Sequence, residues 1–225
     1  MSSPEVYAIE SVPCPSEEPV SRYEEVRHKA LELFAERGFA RSSMRELAAR
    51  LGLLSGSLYH HFRSKESLLF ELIEEVYDDL LEAALATGGG DAHDRLQGLL
   101  RAHIDLLESR SLHFLVAEHE FRYLSQQHQN QILQMRRCYE DILLKRLLDA
   151  GATARLPLLK ATVQGVVGCL NNLPTWLNQA GLSAAEGKGV IAGIVFGSLS
   201  GVLKQQSPLS GSATIVPLHG HSACS

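Results

Sequence analysis

The sequence is poor in the residues that stabilise small secreted proteins or build metal centres. Its 225 residues include four cysteines, and no two of them form a Cys-x-x-Cys pair. Such scattered cysteines are not typical of a disulfide framework or a structural zinc site, so we expect a reducing compartment. The chain also lacks a His-Glu-x-x-His motif and a phosphate-binding glycine loop. We therefore predict no metal site, no cofactor and no enzymatic activity.

Long apolar runs are also lacking. The N-terminus has no basic segment followed by an apolar run, and the most apolar stretch, residues 189–203, is short and rich in glycine. We therefore expect no signal peptide and no membrane span, and we place the protein in the cytoplasm. No segment alternates apolar and polar residues for long enough to form a sheet, whereas helical spacing recurs throughout. The predicted fold is all-α.

Positive charge is in deficit overall but is concentrated in one segment. The formal net charge is -5, which argues against a protein that coats nucleic acid over its whole surface. Residues 37–65, however, hold six basic side chains and a single acidic one, Glu46. A basic patch on an acidic body is suited to docking on phosphates, although a solvated charged face is the simpler explanation of such a cluster.

Breaks in the helical pattern divide the chain into four parts. Residues 1–20 carry four prolines and no apolar period, which predicts a disordered leader. Residues 21–86 form the predicted first domain with a long connecting helix, and the glycines at 88–90 end that helix. Residues 91–205 form the predicted second domain. Residues 206–225 are expected to be a flexible tail.

In the first domain, the stretch Ser42–Lys65 predicts two short helices joined by a turn at Gly52. Ser43-x-x-Glu46 has the pattern of a capping box at the start of the first helix, and the second is expected from about Ser55 to Phe62. This is the arrangement of a helix-turn-helix, whose second helix enters the major groove of DNA. The stretch therefore predicts a DNA-binding element.

Several blocks of this region agree in order and spacing with one protein family. They are Ala-Glu-Arg-Gly-Phe at 35–39, Arg-Glu-Leu-Ala at 45–48, Gly-Ser-Leu-Tyr-His-His-Phe at 56–62 and Ser-Lys-Glu-Ser-Leu-Leu at 64–69. Residues 22–75 resemble the N-terminal domain of the TetR family of bacterial transcriptional repressors. The resemblance implies a homodimer that binds a palindromic operator in double-stranded DNA and is released by a small effector.

The resemblance and the side-chain chemistry together nominate the residues that face DNA. They are Ser43, Arg45, Ser55, Gly56, Ser57, Tyr59, His60 and Lys65. Ser43 and Lys65 lie at helix starts, where free backbone N–H groups favour a phosphate. Arg45 is suited to a guanine edge, which an arginine can address with two hydrogen bonds.

Two points stay open in this region. Leu54 stands where the family commonly has a polar capping residue, so either Ser55 takes over the cap or the helix begins less tightly. For Tyr59 and His61, packing inside a small three-helix core is the alternative to a role at the DNA surface.

The last predicted helix, which Ser183-x-x-Glu186 opens, carries glycines at a spacing of four. These glycines lie near one face and leave room for another helix to approach. Each costs about 1 kcal/mol relative to alanine, so a packing gain is expected to offset them. The predicted dimerisation residues are Gly189, Gly193, Gly197 and Gly201 with Val163, Val167 and Leu170 of the preceding apolar helix. Burial inside a single chain is the alternative.

The second domain offers a predicted ligand chamber between residues 92 and 180, where apolar helices carry few polar groups. The nominated ligand-binding residues are His103, His119, Tyr123, Arg146, Asn171, Asn172 and Trp176. A lone histidine such as His103 is more often a satisfied core residue. Segments here are diffusely similar to family members that sense acyl-CoA thioesters or lipids, so the expected effector is apolar or amphipathic. Pro174 is expected to kink or end the helix over 156–177.

The sequence as a whole predicts a cytoplasmic, homodimeric, ligand-responsive repressor. Two alternatives stay open. The first is an interaction or scaffold protein that keeps its helix-turn-helix only for packing and tolerates alanine at Arg45, Ser57 and Lys65. The second is an activator, or a repressor without a ligand, which binds DNA but shows no effector-dependent shift in melting temperature.

Overall fold

The computed structural model describes residues 21–179 and 181–203, without the side chains of residues 173, 174, 176–179 and 184. In this part of the chain the elements are α1 Arg22–Arg37, α2 Met44–Arg50, α3 Ser55–Leu58, α4 Lys65–Ala86, α5 Ala92–Ser109, α6 Ser111–Glu120, a 3-10 helix Phe121–Tyr123, α7 Gln126–Asp149, α8 Leu156–Gln179 and α9 Ala184–Leu203. No strand occurs among the described residues, and the all-α prediction is confirmed. The predicted leader and the predicted tail lie outside the described residues.

The chain forms two compact units, Met1–Leu72 and Ile73–Ser225. The division falls inside α4, so this helix begins in one unit and ends in the other. The predicted boundary at the glycines 88–90 directly follows the end of α4 and stays a prediction.

The first two helices begin at serine caps and end at or just before glycines. The hydroxyl oxygens of Ser21 and Ser43 cap α1 and α2 by accepting hydrogen bonds from the backbone N–H three residues later, at 3.2 and 3.1 Å. Gly38 ends α1 with φ 79°, and Gly52 follows α2 with φ 64°. Both values lie in the left-handed region, where glycine carries no steric penalty.

The third helix is shorter than predicted. α3 covers only Ser55–Leu58, whereas the sequence pattern indicated a helix as far as Phe62. Leu54 is its N-cap residue and makes no side-chain capping hydrogen bond, so Ser55 does not take over the cap. One helical turn has little stability of its own. Tertiary burial therefore holds α3 in place, because Leu58 and Phe62 are almost completely buried.

The second unit is a layered set of helices around an apolar core. Its core side chains include Leu99, Leu100, Ile104, Leu107, Phe114, Ile132, Leu143, Leu147, Leu159, Val163 and Leu170. α5 begins with a reciprocal capping box between Asp91 and Asp94, a signal that the sequence interpretation missed. Pro174 does not end α8, since the helix continues to Gln179, and the alternative prediction of a kink stays a prediction. Proline fixes φ near the helical value and removes one backbone donor, so a helix can continue past it at the cost of one hydrogen bond.

α9 is apolar, yet most of it is uncovered in the single chain. Within the described residues, one stretch, Ala185–Leu203, is long and apolar enough to cross a membrane by length and composition. Only 28% of its most apolar window is buried, and a core helix of a soluble protein passes the same test. Val190 and Ile194 are 41% and 42% exposed. The apolar outer face of α9 is therefore expected to be covered by another apolar surface.

Candidate functional site

The predicted DNA-binding residues lie on α2, on α3 with the turn after it, and at the start of α4. Five of the eight are exposed and three are half-buried, so none belongs to the core. Tyr59 is 55% exposed, which places it at the surface rather than in the three-helix core that was its alternative. His61 is exposed as well, although its ring lies 6.3 Å from those of Tyr23 and Phe62.

The arginines of residues 37–65 fall into two groups. Arg37 and Arg50 form ion pairs with Glu46 and Glu36, at 2.9 and 2.8 Å. The other arginines of the segment are Arg41, Arg45 and Arg63, which are exposed and have no ion-pair partner among the described residues. Guanidinium groups in this state are suited to phosphate oxygens, because no acidic side chain competes for them.

Lys65 has a structural task that the sequence did not reveal. Its ammonium group donates to the carbonyl oxygens of Phe39 and Ser42, at 2.7 and 2.8 Å, and lies 4.0 Å from the centre of the Phe39 ring. These bonds fasten the loop between α1 and α2 to the start of α4. Lys65 therefore positions Ser43, whose hydroxyl caps α2 through its oxygen and still has a proton to donate.

A line of hydrogen bonds runs through the core of the second unit. The hydroxyl of Tyr139 lies 2.8 Å from Nδ1 of His103, and Nε2 of His103 lies 3.3 Å from Oδ1 of Asn171. The amide nitrogen of Asn171 donates to Oε1 of Glu118 at 2.8 Å. His103 and Asn171 are the two predicted ligand-binding residues that the structure brings together.

The same line continues to α4. Arg136 donates to Oε1 of Glu118 at 2.8 Å and to the hydroxyl oxygen of Tyr77 at 2.5 Å. Tyr77 is buried on α4, and its pKa is raised to about 12 chiefly because burial disfavours the phenolate. We call this set the polar chain: Tyr139, His103, Asn171, Glu118, Arg136 and Tyr77. It joins α4, α5, α6, α7 and α8 within the second unit.

Burial keeps His103 neutral. It lowers the pKa of the imidazole from 6.5 to about 4, while the hydrogen bond to Asn171 acts in the opposite direction. A neutral ring with its proton on Nε2 fits the polar chain, because Nδ1 can then accept from Tyr139 and Nε2 can donate to Asn171. His103 is therefore a satisfied core residue in this structure.

We expect this burial to make the protein less stable in mild acid. The unfolded histidine takes up a proton near pH 6.5, whereas folded His103 does so only near 4, so stability is complete above 6.5 and falls as the pH drops towards 4. The loss between pH 7 and pH 5 is about 2 kcal/mol. Urea unfolding should show a smaller loss in His103→Gln, and exposed His93→Gln should behave as wild type. Equal losses in His103→Gln and wild type would contradict this assignment.

The other predicted ligand residues are dispersed. His119 is exposed at the end of α6, and Tyr123 lies in the 3-10 helix with the Arg122 guanidinium 5.0 Å from its ring centre. Arg146 donates to the carbonyl oxygen of Thr87 at 3.1 Å. The remaining two are Asn172, which donates to the Gly168 carbonyl of its own helix, and Trp176, whose side chain lies outside the described ones. These residues lie on four different elements, α6, the 3-10 helix, α7 and α8.

The predicted dimerisation residues separate into two sets. Val163, Val167 and Leu170 are buried in the core of their own chain, so they are not on an outer face. Gly189, Gly193, Gly197 and Gly201 are exposed, and a Cβ added at any of them would meet no described atom within 4 Å. In the described part of the chain these glycines therefore serve no close packing.

An open cleft lies beside these glycines, between α8 and α9. Its volume is about 350 Å³, and its lining includes Thr162, Gly165, Cys169, Ile194 and Ser198. Small and apolar side chains thus line the outer surface of the helix pair. In the described residues, no group of three or more His, Cys, Asp or Glu side chains is placed to hold a metal ion.

Comparison with known proteins assigns a family to this arrangement. Residues 26–72 match the family model described as bacterial regulatory proteins, tetR family, and residues 89–199 match the one described as tetracyclin repressor-like, C-terminal domain. The HTH-type transcriptional repressor KstR2 of Mycolicibacterium smegmatis is 31% identical over 140 residues, which are 59% of this chain and 68% of that repressor. The chain belongs to the TetR family. It is a helix-turn-helix transcriptional regulator, as the sequence predicted.

Solved TetR structures share the fold of this TetR-family chain over about four fifths of its length. A regulatory protein from Rhodococcus RHA1 matches with a TM-score of 0.73 and 25% identity, covering 81% of this chain and 98% of that one. The regulator AibR, solved with isovaleryl coenzyme A and operator DNA, matches with a TM-score of 0.67 and 25% identity, covering 78% and 98%. These relatives are regulators, and the individual site residues of this chain stay predictions.

Proposed function

We propose that this TetR-family regulator is a cytoplasmic homodimeric repressor that binds a palindromic operator and is released by an acyl-CoA thioester or a similar amphipathic effector. The observation that carries the DNA-binding part is the exposed surface of α2, α3 and the loops beside them, where Arg41, Arg45 and Arg63 have no ion-pair partner among the described residues. The same stretch carries the hydroxyls of Ser55, Ser57 and Tyr59, and cations with hydrogen-bonding groups are what DNA backbones attract.

The open face of α8 and α9 supports a dimer. α9 exposes apolar side chains and a row of glycines that no described residue covers, and a second copy of the same face would cover both. Two-fold symmetry would then present two copies of α3 to successive major grooves about 34–36 Å apart. A palindromic operator follows from that symmetry.

Two observations support an acyl-CoA effector. The related regulator AibR was solved with isovaleryl coenzyme A and operator DNA. In this chain, the polar chain places hydrogen-bonding groups inside an apolar helical unit and ends at Tyr77 on α4, the helix that continues into the DNA-binding unit. An effector that rearranges the polar chain would act on α4, and release requires that it prefer the non-binding state by about 1–3 kcal/mol.

The proposal includes no catalytic step, metal or cofactor, and no membrane partner. A repressor without an effector, or an activator, would use the same DNA surface. To distinguish these alternatives from the proposed function, the melting temperature is measured with a panel of acyl-CoA thioesters, fatty acids and aromatic compounds. A ligand that raises the melting temperature and lowers operator affinity supports release, whereas no response to any of them favours regulation without a ligand.

Alanine substitutions at Tyr59 and Arg45 should weaken operator binding by at least about tenfold each, on the scale of lost DNA contacts. The operator is obtained by selecting bound duplexes from a random pool, and affinity is measured by fluorescence anisotropy at two salt concentrations. If Arg45 reaches the DNA backbone, Arg45→Ala should also reduce the slope of log affinity against log salt concentration by the equivalent of about one phosphate contact. Exposed Arg101→Ala, in the second unit, serves as the matched control. Unchanged binding in both Tyr59→Ala and Arg45→Ala would contradict this DNA surface, and a wild type that selects no duplex would favour the scaffold alternative.

A further inference from the structure

Leu54 exposes more of its surface than any other large apolar side chain among the described residues. It is 82% exposed and immediately precedes α3. Its backbone is extended, with φ -74° and ψ 140°, so it occupies the N-cap position of the recognition helix. No described side chain covers it.

Leucine at this position brings two disadvantages to the isolated chain. A serine, threonine or asparagine would accept a hydrogen bond from a free backbone N–H of α3, and leucine cannot. Leucine also leaves apolar surface in water. A single exposed leucine is common on protein surfaces, so its exposure alone decides nothing. Its location is informative, because base edges are contacted by residues at the N-terminal end of a recognition helix.

The start of α3 is open and mostly polar. A Cβ added at Gly56 would meet no described atom within 4 Å. The residues that follow Leu54 in α3 are Ser55, Gly56 and Ser57. Leu54 is therefore a large apolar side chain beside small and polar ones.

The chemistry of the major groove limits what such a side chain can recognise. Of the groups that the four base pairs present there, the C5-methyl of thymine is apolar, and the others are hydrogen-bond donors or acceptors. We propose that Leu54 is a specificity-determining residue that packs on the methyl group of a thymine at one fixed position in each operator half-site. This inference rests on the proposed operator binding.

The inference predicts a loss of affinity when a single methyl group is removed from DNA. Deoxyuridine replaces each thymine of the selected operator in turn, which changes no hydrogen-bonding group in the base pair. At one position per half-site the affinity of the wild type should fall about fourfold, and about fifteenfold when both half-sites are changed, as expected for burial of one methyl group at each. Other thymines should have little effect.

The variant Leu54→Ser connects the effect to this side chain. Because Leu54 is exposed and serine is a good cap, the variant should stay folded, which circular dichroism and melting check. It should bind the thymine and deoxyuridine operators equally. Tyr59→Ala is the matched comparison, with weaker binding overall but an unchanged response to the methyl group.

Three results would overturn the assignment. One is the absence of any thymine whose methyl group matters to the wild type. The second is a methyl response that persists in Leu54→Ser. The third is a loss of affinity in that variant that is equal for every DNA sequence, which would place Leu54 on the sugar-phosphate backbone. A failure of the selection to yield any preferred duplex is a different result, because it contradicts the proposed operator binding itself.

Discussion

Ile194→Asp is expected to turn the dimer into a monomer and to lower operator affinity by more than about 100-fold. Ile194 is 42% exposed on α9 and lines the open cleft with Thr162 and Gly165 of α8. In a two-fold interface the substitution places two carboxylates in an apolar surface, and each unpaired buried charge costs several kcal/mol. A monomer presents a single recognition helix and loses the contacts of the second half-site.

Sedimentation velocity measures the assembly, and anisotropy with the selected operator measures the binding. Leu148→Asp is the matched control, because Leu148 is 45% exposed on α7 and does not line the cleft between α8 and α9. It should remain a dimer with wild-type affinity. If Ile194→Asp sediments as a dimer and still binds the operator, the face of α8 and α9 is not the dimer interface.

The substitution Gly197→Ala distinguishes a solvated face from a packed one, because it should stabilise the protein in the first case and weaken the dimer in the second. On a solvated face, Gly197→Ala should stabilise the protein by about 1 kcal/mol, since alanine is the better helix former and the added Cβ meets no described atom within 4 Å. At a close helix contact between two chains, the same methyl group should weaken the dimer.

Glu118→Ala should lower the free energy of unfolding by about 2–4 kcal/mol. One oxygen of Glu118 accepts hydrogen bonds from both Arg136 and Asn171, and the side chains of Glu118 and Arg136 are only 17% and 30% exposed. Removal of the carboxylate leaves a largely buried guanidinium and an amide donor without their acceptor. Removing one partner of a buried ion pair destabilises the fold more than replacing both partners, because an unpaired charge stays buried.

Urea unfolding tests this prediction with a matched surface pair. Glu108 pairs with Lys188 at 3.4 Å and is 56% exposed, so Glu108→Ala should cost no more than about 0.5 kcal/mol. The double substitution Glu118→Leu with Arg136→Met should recover part of the loss, because no buried charge is then left alone. If Glu118→Ala and Glu108→Ala are equally stable, the polar chain is not a stabilising network.

Local signals in the sequence predicted most of the fold. A serine cap and terminal glycines predicted where α2 begins and where α2 and α4 end. They failed at α3, because the residues up to Phe62 continue an apolar pattern although the backbone leaves the helix after Leu58. The helix end that Pro174 was expected to cause, as one of two outcomes, does not occur, since α8 continues to Gln179.

The site was predicted unevenly for a related reason. Residues at the DNA surface are close in sequence, so motif spacing nominated them. The polar chain joins residues that are 36, 68 and 53 positions apart, and only the tertiary fold brings Glu118, Arg136 and Tyr139 to His103 and Asn171. Tyr77 could have been identified from the sequence, because it lies beside the apolar side chains of α4.

Periodicity also identified an apolar stripe on α8 without deciding which way it faces. Val163, Val167 and Leu170 were assigned to the dimer interface, but they pack in the core of their own chain. An apolar helix in contact with another can carry both a stripe that faces the core and a stripe that faces outward, and a period of 3.6 residues fits both. Only the burial of each side chain in the folded unit shows which stripe faces the core.

The most direct test of the account is the binding of the full chain to its selected palindrome and to a shuffled duplex of the same composition. Fluorescence anisotropy gives both affinities at low and high salt, and sedimentation gives the number of chains on each duplex. We expect two chains on the palindrome, a preference of at least about 1,000-fold over the shuffled duplex and a steep decrease in affinity with salt. Equal affinity for the two duplexes, or one chain on the palindrome, would contradict a dimeric operator-binding repressor.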